Sequence, residues 1–321
     1  MNQGIFGFPS VSSNTIISTT EIDVSGTYLI EPRTKRLIIF AVGGGGGGGG
    51  GKQHATGTTC FAGGGGGGGA IVLQDFNVED LGGVNTTLSI IIGAGGNPGG
   101  GGSSANAVGT IGGTGGTTTI TLTGKPGIII SCLGGNPGGG GTATAGAGGA
   151  STTHYLFGRS VSAGLGSGST AGSSGFLVGT LQRSIASWTS HGGAGGTGLS
   201  STPATEYGGS VYLIETTTTS IANPNYVRGL PGSNNGPWIV YGGNCGLGTI
   251  NGQSSSAQIM GKLSPGFGGA GGGSAASSNG GFGGNGYRGS GGGGAGSASN
   301  TFTPGDGGRG GAGYVCIVAL A

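Results

Sequence analysis

The glycine tract Gly43–Gly51 limits the possible folds of this chain more than any other feature. It contains nine consecutive glycines, and a second tract, Gly63–Gly69, contains seven. Glycine loses more conformational entropy on folding than any other residue, and it buries no side chain in return. An ordered tract of this kind therefore needs its backbone N–H and C=O groups to be hydrogen-bonded to neighbouring segments.

A polyproline II type of helix meets that need. It is left-handed, has three residues per turn, rises about 3.1 Å per residue and has no internal hydrogen bonds. Its backbone groups point outward in three directions, and without Cβ atoms several such helices can pack side by side. We therefore predict packed polyglycine II helices. Collagen is excluded, because the tracts lack a strict triplet period and the chain has only 11 prolines.

Short β-like segments alternate with the glycine tracts. They are rich in Ile, Val, Thr and Tyr and are bounded by glycine or proline, which favours strands, whereas no window has the 3.6-residue apolar period of a helix. The predicted fold is mainly β with packed polyglycine II helices, a glycine-rich sandwich with essentially no α-helix. We also predict that the first and last of these segments are neighbours in one sheet. The segments are Arg36–Val42, Ala70–Phe76, Thr87–Ile92, Thr117–Thr123, Gly127–Cys132, Ser210–Thr216, Pro237–Tyr241 and Gly313–Leu320.

Composition divides the chain into three regions, which can also form one continuous domain. Residues 1–150 are a β and glycine-rich scaffold, residues 151–265 are more variable and contain both tryptophans, and residues 266–321 return to glycine tracts and a closing strand. The first region holds a repeat in which three isoleucines precede GGNPGGGG, at Gly95–Gly102 and again at Gly134–Gly141. Asn-Pro is typical of a turn, so we expect the chain to reverse or change layer there.

Several kinds of function are disfavoured. Charged residues are 6% of the chain and the net charge is +2, without the basic patch of a nucleic-acid binder. No stretch has the roughly 18 apolar residues of a membrane span. The glycines before Lys52 resemble a P-loop, but Gln53 stands where the metal-binding Ser or Thr is needed. With no paired catalytic motif, we predict that the chain is not an enzyme and has no cofactor.

Neither the cysteines nor the acidic residues indicate a metal site. The four cysteines have no zinc-site spacing, and Cys132 and Cys316 lie in apolar segments, where we expect them to be buried. Asp75, Glu79 and Asp80 lack the further ligands of a calcium loop. A solvated loop is the preferred interpretation of these three residues.

The order of segments resembles a known family. RLIIFAV runs into nine glycines, the polar insert KQHATGTTCFA leads to a second tract, a strand ends in IIIGAGGNPGGGG, and the chain closes with GDGGRGGAGYVCIVAL. This order resembles the glycine-rich proteins of phage tail fibres and other virion appendages, including the polyglycine-sandwich adhesins of tail-fibre tips. The resemblance implies a glycine core that presents loops to a host surface.

What the resemblance implies for this chain is a virion protein with receptor-binding loops. The presenting segments would be Lys52–Ala62, Ser151–His191 and Ile221–Tyr241, and their aromatic and histidine side chains would contact a host glycan or outer-membrane protein. The alternative for each aromatic is that it covers an end of the sandwich. The receptor-binding candidates are His154, Tyr155, Phe157, Trp188, His191, Tyr226 and Trp238.

The partners implied are other phage virion proteins and a host receptor, and the resemblance also suggests a homotrimer. No nucleic acid and no membrane insertion are expected. The N-terminus has no secretion signal, so we expect synthesis in the host cytoplasm and a final location in the virion. Two alternatives stay open: a capsid fibre, decoration or shaft protein without receptor binding, and a non-viral extracellular matrix or filament protein.

Overall fold

A computed structural model describes the two ends of the chain almost continuously and the middle in short pieces. The described residues are 15–54, 61–124, 127–142, 149, 153–156, 159–162, 192–193, 195–196, 198, 211–212, 239–240, 251, 266, 268–274, 278–299 and 301–321.

The described part is mainly β, and it contains no α-helix. Two sheets carry the main strands: a six-stranded sheet in the order β1-β14-β3-β5-β9-β10 and a four-stranded sheet in the order β2-β6-β7-β8. Two further pairs, β11 with β12 and β4 with β13, stand apart. The strands are β1 Ile16–Ile22, β2 Gly26–Leu29, β3 Arg36–Val42, β4 Gln53–His54, β5 Ile71–Asn77, β6 Thr87–Ile91, β7 Thr118–Leu122, β8 Ile128–Cys132, β9 Thr153–Leu156, β10 Arg159–Ser162, β11 Val211–Tyr212, β12 Ile239–Val240, β13 Ala298–Ser299 and β14 Tyr314–Leu320.

The larger sheet is apolar on both faces at its centre. Along β3, Leu37, Ile39 and Ala41 join a core cluster with β6, β7 and β8 of the smaller sheet. Phe40 and Val42 point to the opposite face and pack with residues of β5 and β14. Because side chains alternate between the faces of a strand, a strand buried on both faces is a continuous apolar run such as RLIIFAV.

The glycine segments continue directly from these strands. The tract 43–51, which we call the central tract, follows β3, and its N–H groups donate to three segments in turn at 2.8–3.1 Å. Residues 43, 46 and 49 donate to segment 61–70, residues 44, 47 and 50 to segment 107–116, and residues 45, 48 and 51 to segment 303–313. Each partner is therefore met at every third residue.

The carbonyl groups of the central tract have the same period. They accept N–H groups from 93–102, 133–141 and 289–298, so six segments surround the tract. These six, which we call the ring, are also bonded to one another at 2.7–3.1 Å in the closed order 61–70, 133–141, 107–116, 93–102, 303–313 and 289–298. Neighbours in the ring run in opposite directions. These hydrogen bonds pair backbone N–H and C=O groups that would be costly to bury unpaired.

Packing of this ring depends on the absence of side chains. A Cβ built on Gly47 would lie 2.0 Å from the carbonyl oxygen of Asn97, and one built on Gly48 would lie 2.0 Å from that of Gly293. These distances are far below van der Waals contact, so the uninterrupted glycine of the central tract is a steric requirement of its six neighbours.

The expectations about strands and buried cysteines hold in the described part. Cys132 and Cys316 are buried, and neither is in a disulfide. The predicted β segments each contain a strand. Strands β3 and β14 are neighbours in the larger sheet, as predicted, and they pair antiparallel with Arg36 opposite Leu320. Strands β1, β2, β4, β9, β10 and β13 were not predicted. The sequence of β1, IISTTEI, is an example, because its polar residues interrupt any continuous apolar run.

The turn predicted at Asn-Pro is wrong. Gly96, Gly99 and Gly102 donate in succession to Gly45, Gly48 and Gly51, so the chain runs straight through Asn97 and Pro98. The second copy of the repeat likewise donates from 135, 138 and 141 to 44, 47 and 50. Proline is tolerated at position 98 because residues 96, 99 and 102 donate the hydrogen bonds to the central tract, so that no N–H group is needed at 98. Its fixed φ also suits an extended chain.

Candidate functional site

One end of the ring gathers the connections between its segments. We call it the far end, because the strands of the two sheets adjoin the other end. Here Gly102 donates to Gly51, Gly141 donates to Gly50 and Ala298 donates to Lys52, at 2.9–3.2 Å. The described ends of the stretches 52–61, 102–107, 274–280 and 298–304 therefore lie at the far end.

At the far end the segments are also joined by hydrogen bonds between side chains and from side chain to backbone. Gln53 is buried, donates its Nε2 to the carbonyl of Phe302 at 2.7 Å, and lies in β4, which pairs in parallel with β13. Ser274 and Ser297, both fully buried, have their hydroxyl oxygens 3.1 Å apart. These contacts tie the bases of three connections together, so the far end presents the connections from a common platform.

The insert Lys52–Ala62 was predicted to present a loop, and its described ends lie at the far end. Lys52 donates its N–H to the carbonyl of Phe61 at 3.3 Å, so the two ends of the insert lie side by side. The inserts Ser151–His191 and Ile221–Tyr241 lie largely outside the described residues. Their part in a surface stays a prediction.

The individual receptor-binding candidates are not brought together by the described part. His154 and Tyr155 lie in β9, where the backbone of Tyr155 pairs with Val72 of β5. The other candidates lie outside the described residues. They are Phe157, Trp188, His191, Tyr226 and Trp238.

A charged cluster joins the ring to the larger sheet. Arg288 donates to the carboxylate of Glu21 at 2.8 Å, and its guanidinium lies 3.8 Å from the centroid of the Tyr314 ring. The Tyr314 hydroxyl donates to the same carboxylate oxygen at 2.9 Å. Burial raises the pKa of Tyr314 far above its usual value, so the hydroxyl stays a donor at neutral pH. Burial opposes the charge of Arg288, but the Tyr314 and Glu21 oxygens outweigh it and raise its pKa.

The acidic residues that were weighed as a calcium site are separated in the structure. Asp75 lies in β5 and forms an ion pair with Arg36 of β3. Asp80 follows in the turn after the strand and accepts a bond from the Asn77 amide at 3.3 Å. Within the described ranges there is no group of three or more His, Cys, Asp or Glu residues placed to hold a metal ion.

Sequence reasoning missed a surface near the charged cluster. In the segments 279–287 and 303–313 every third residue carries a side chain that is exposed, and the residues between them are mostly glycine. Gly280, Gly283 and Gly286 donate to the carbonyls of Thr303, Asp306 and Arg309 at 2.9 Å, so the two rows of side chains lie next to each other. The triplets NGGFGGNGY and TPGDGGRGGAG were the available signal.

Comparison of the sequence with models of known protein families and with curated proteins found no match. Among the residues that the structure describes, none forms a helix that is long and apolar enough to cross a membrane.

Proposed function

We propose that this chain is a structural protein of a bacteriophage particle, most specifically a tail-fibre or fibre-tip protein that presents loops to a host receptor. The observation that carries the proposal is the gathering of the ends of four connections at the far end of the ring. Loops held on a scaffold of fixed geometry bind with a smaller entropic cost than loops that must be ordered. We propose that the chain acts by binding and not by catalysis.

We also propose that the central tract and the ring segments are polyglycine II helices. The change of hydrogen-bond partner at every residue, with return to the same partner after three, supports this geometry. So does the passage of 93–102 straight through Pro98, because proline fixes φ near the value of that helix. At about 3.1 Å per residue, the nine-residue central tract would separate the sheets from the far end by roughly 28 Å.

This separation supports a division of labour along the molecule. The sheets lie at one end, where β1 of the larger sheet and β2 and β8 of the smaller are edge strands, and they could pair with other virion proteins or with further copies of the chain. The far end is left for the receptor, a glycan or an outer-membrane protein. The proposed location is the virion, after synthesis in the host cytoplasm.

The proposal is tested on particles by replacing residues 55–60, which connect the described ends of the Lys52–Ala62 insert, with a Gly-Ser linker of equal length. We expect adsorption to host cells to fall while particle assembly is unchanged. The matched control replaces Val84, a 42% exposed residue in the turn before β6, by serine and should adsorb normally. Equal adsorption by both variants would count against receptor binding by the far end.

Gold-labelled antibody against the chain, imaged on purified particles, separates the alternatives. Label at fibre ends supports the proposal. Label on the capsid or along a shaft would indicate a decoration or shaft protein without receptor binding. An absence of label on any virus-like particle would favour a matrix or filament protein.

A further inference from the structure

A surface cleft lies where the ring meets the larger sheet, away from the far end. Its volume is about 450 Å³, within the range of roughly 300–1,000 Å³ that is usual for small-molecule sites. It is lined by the chain from Gly310 to Gly313 and by side chains from three segments. They are Asp23, Asn285, Tyr287, Arg288 and Arg309.

The charged groups of the cleft balance one another. Arg288 forms an ion pair with Glu21, with 2.8 Å between its Nη2 and Glu21 Oε2. Asp23, which follows β1, and Arg309 are exposed, and within the described ranges the Arg309 side chain has a long contact, 3.5 Å from its Nη2 to Asn97 Oδ1. The cleft thus offers one carboxylate acceptor and one guanidinium donor, which suits a neutral ligand that both donates and accepts hydrogen bonds.

Phe282 lies three residues before Asn285, in the row of exposed side chains of segment 279–287. Asn279 and Asn285 each accept, through Oδ1, the N–H of a residue in the adjacent row, Thr303 at 2.9 Å and Arg309 at 2.8 Å. The equivalent position between them is Phe282, which makes no such bond through its side chain and is 49% exposed. In both flanking triplets an asparagine accepts an N–H of the adjacent row, whereas this position has a half-exposed phenylalanine ring.

The position of Phe282 relative to the cleft follows from the hydrogen bonds between the two rows. Gly283 donates to the carbonyl of Asp306 at 2.9 Å, so Phe282 lies beside Asp306 as Asn285 lies beside Arg309. Three residues of a polyglycine II helix span about 9 Å. The backbone of Phe282 therefore lies about 9 Å along the row from that of Asn285.

We infer that the cleft and the surface around Phe282 form a binding site for an oligosaccharide. Sugar hydroxyls both donate and accept, which matches Asp23 and Arg309, and the apolar face of a sugar packs on aromatic rings such as Tyr287 and Phe282. One sugar unit occupies the cleft and the next units extend along the row to Phe282.

This site is separate from the far-end loops, so it stands whether or not the receptor-binding proposal holds. It is tested with the purified full chain on an array of oligosaccharides of two to six units, followed by calorimetric titration of the strongest binder. We expect Arg309→Ala and Phe282→Ala each to weaken binding at least tenfold, with unchanged melting temperature. Ile111→Ala, at a 63% exposed position in a different ring segment, is the control and should bind as the unaltered chain does.

Two results would overturn the inference: no binding to any arrayed oligosaccharide, or binding that neither substitution weakens. Loss of binding in the Ile111 variant to the same extent would also overturn it, because the effect would then not belong to the cleft. Host-cell adsorption is measured separately, so failure here is distinguishable from failure of the far-end proposal.

Discussion

Replacement of Gly47 by alanine should destabilise the ring from its centre. The new Cβ would lie 2.0 Å from the carbonyl oxygen of Asn97. Ordinary contact begins at 3.4 Å, so segment 93–102 has to move away by about 1.4 Å. That segment donates three bonds to the central tract, at 2.8–3.0 Å, and a movement of this size lengthens them beyond hydrogen-bonding distance.

The magnitude follows from those three bonds. Each contributes about 0.5–1.5 kcal/mol net, so together they account for roughly 2–4 kcal/mol. Alanine restricts the unfolded chain and returns about 0.4–1 kcal/mol. We therefore expect Gly47→Ala to lower the free energy of unfolding by roughly 1–4 kcal/mol.

The matched control is Gly100→Ala in the same segment. Its Cβ would meet nothing closer than Thr110 Oγ1 at 3.7 Å and Asp306 Oδ1 at 3.9 Å. Only the unfolded-state effect remains, so this variant should be as stable as the parent chain or more stable by up to about 1 kcal/mol. Gly113→Ala is intermediate, because its Cβ would lie 2.8 Å from the amide nitrogen of Asn97.

Thermal unfolding followed by calorimetry measures the three variants. For a chain of this size each kcal/mol corresponds to roughly 2–4 °C or less in Tm, and the expected order of Tm is Gly100→Ala, Gly113→Ala, Gly47→Ala. If Gly47→Ala does not yield soluble protein, the order of the other two still tests the argument. Equal Tm values for Gly47→Ala and Gly100→Ala would refute the steric account of the ring.

Three further predictions concern other parts of the molecule. Gly66→Val should prevent folding, because its Cβ would lie 2.1 Å from the Gly46 oxygen, whereas Gly26→Val, with 3.9 Å to the nearest atom, should express as folded protein. Arg288→Met should lower the unfolding free energy by about 1–3 kcal/mol through loss of its charged hydrogen bond; Arg33→Met, at an exposed arginine that also has positive φ, should change it by less than about 0.5 kcal/mol in chemical denaturation. Burial raises the pKa of the Cys132 thiol to about 12, above the roughly 8.5 of an unfolded thiol. The contribution of this thiol to the free energy of unfolding is therefore complete below about pH 8.5. Between about pH 8.5 and about pH 12 it is lost at about 1.36 kcal/mol per pH unit, because the unfolded chain ionises first. Denaturant unfolding of Cys132→Ala between pH 7 and 11 should lack this part of the decline, and an unchanged decline would contradict it.

Some of the candidate site was accessible from the sequence. The insert Lys52–Ala62 stands out because it interrupts two glycine tracts, and its described ends do lie at the far end. The cluster of Arg288, Glu21 and Tyr314 was not accessible, since Glu21 and Tyr314 are 293 residues apart. Phe282 becomes notable only when the asparagines on either side are seen to cap neighbouring N–H groups.

The sequence by itself determined the kind of structure this chain can form. Short apolar runs such as LIIFAV, rich in β-branched and aromatic residues and followed by glycine, favour strands buried on both faces. Nine glycines can be ordered only by bonding their backbone to other segments. It did not determine which segments those are, because glycine has no side chain to encode a partner or a register. Only the tertiary structure decided that six segments surround the central tract, that their directions alternate, and that Asn97-Pro98 continues a segment instead of turning it. The physical reason is that each glycine N–H can bond to any nearby carbonyl, and the sheets, whose side chains do specify pairing, fix which carbonyls are near.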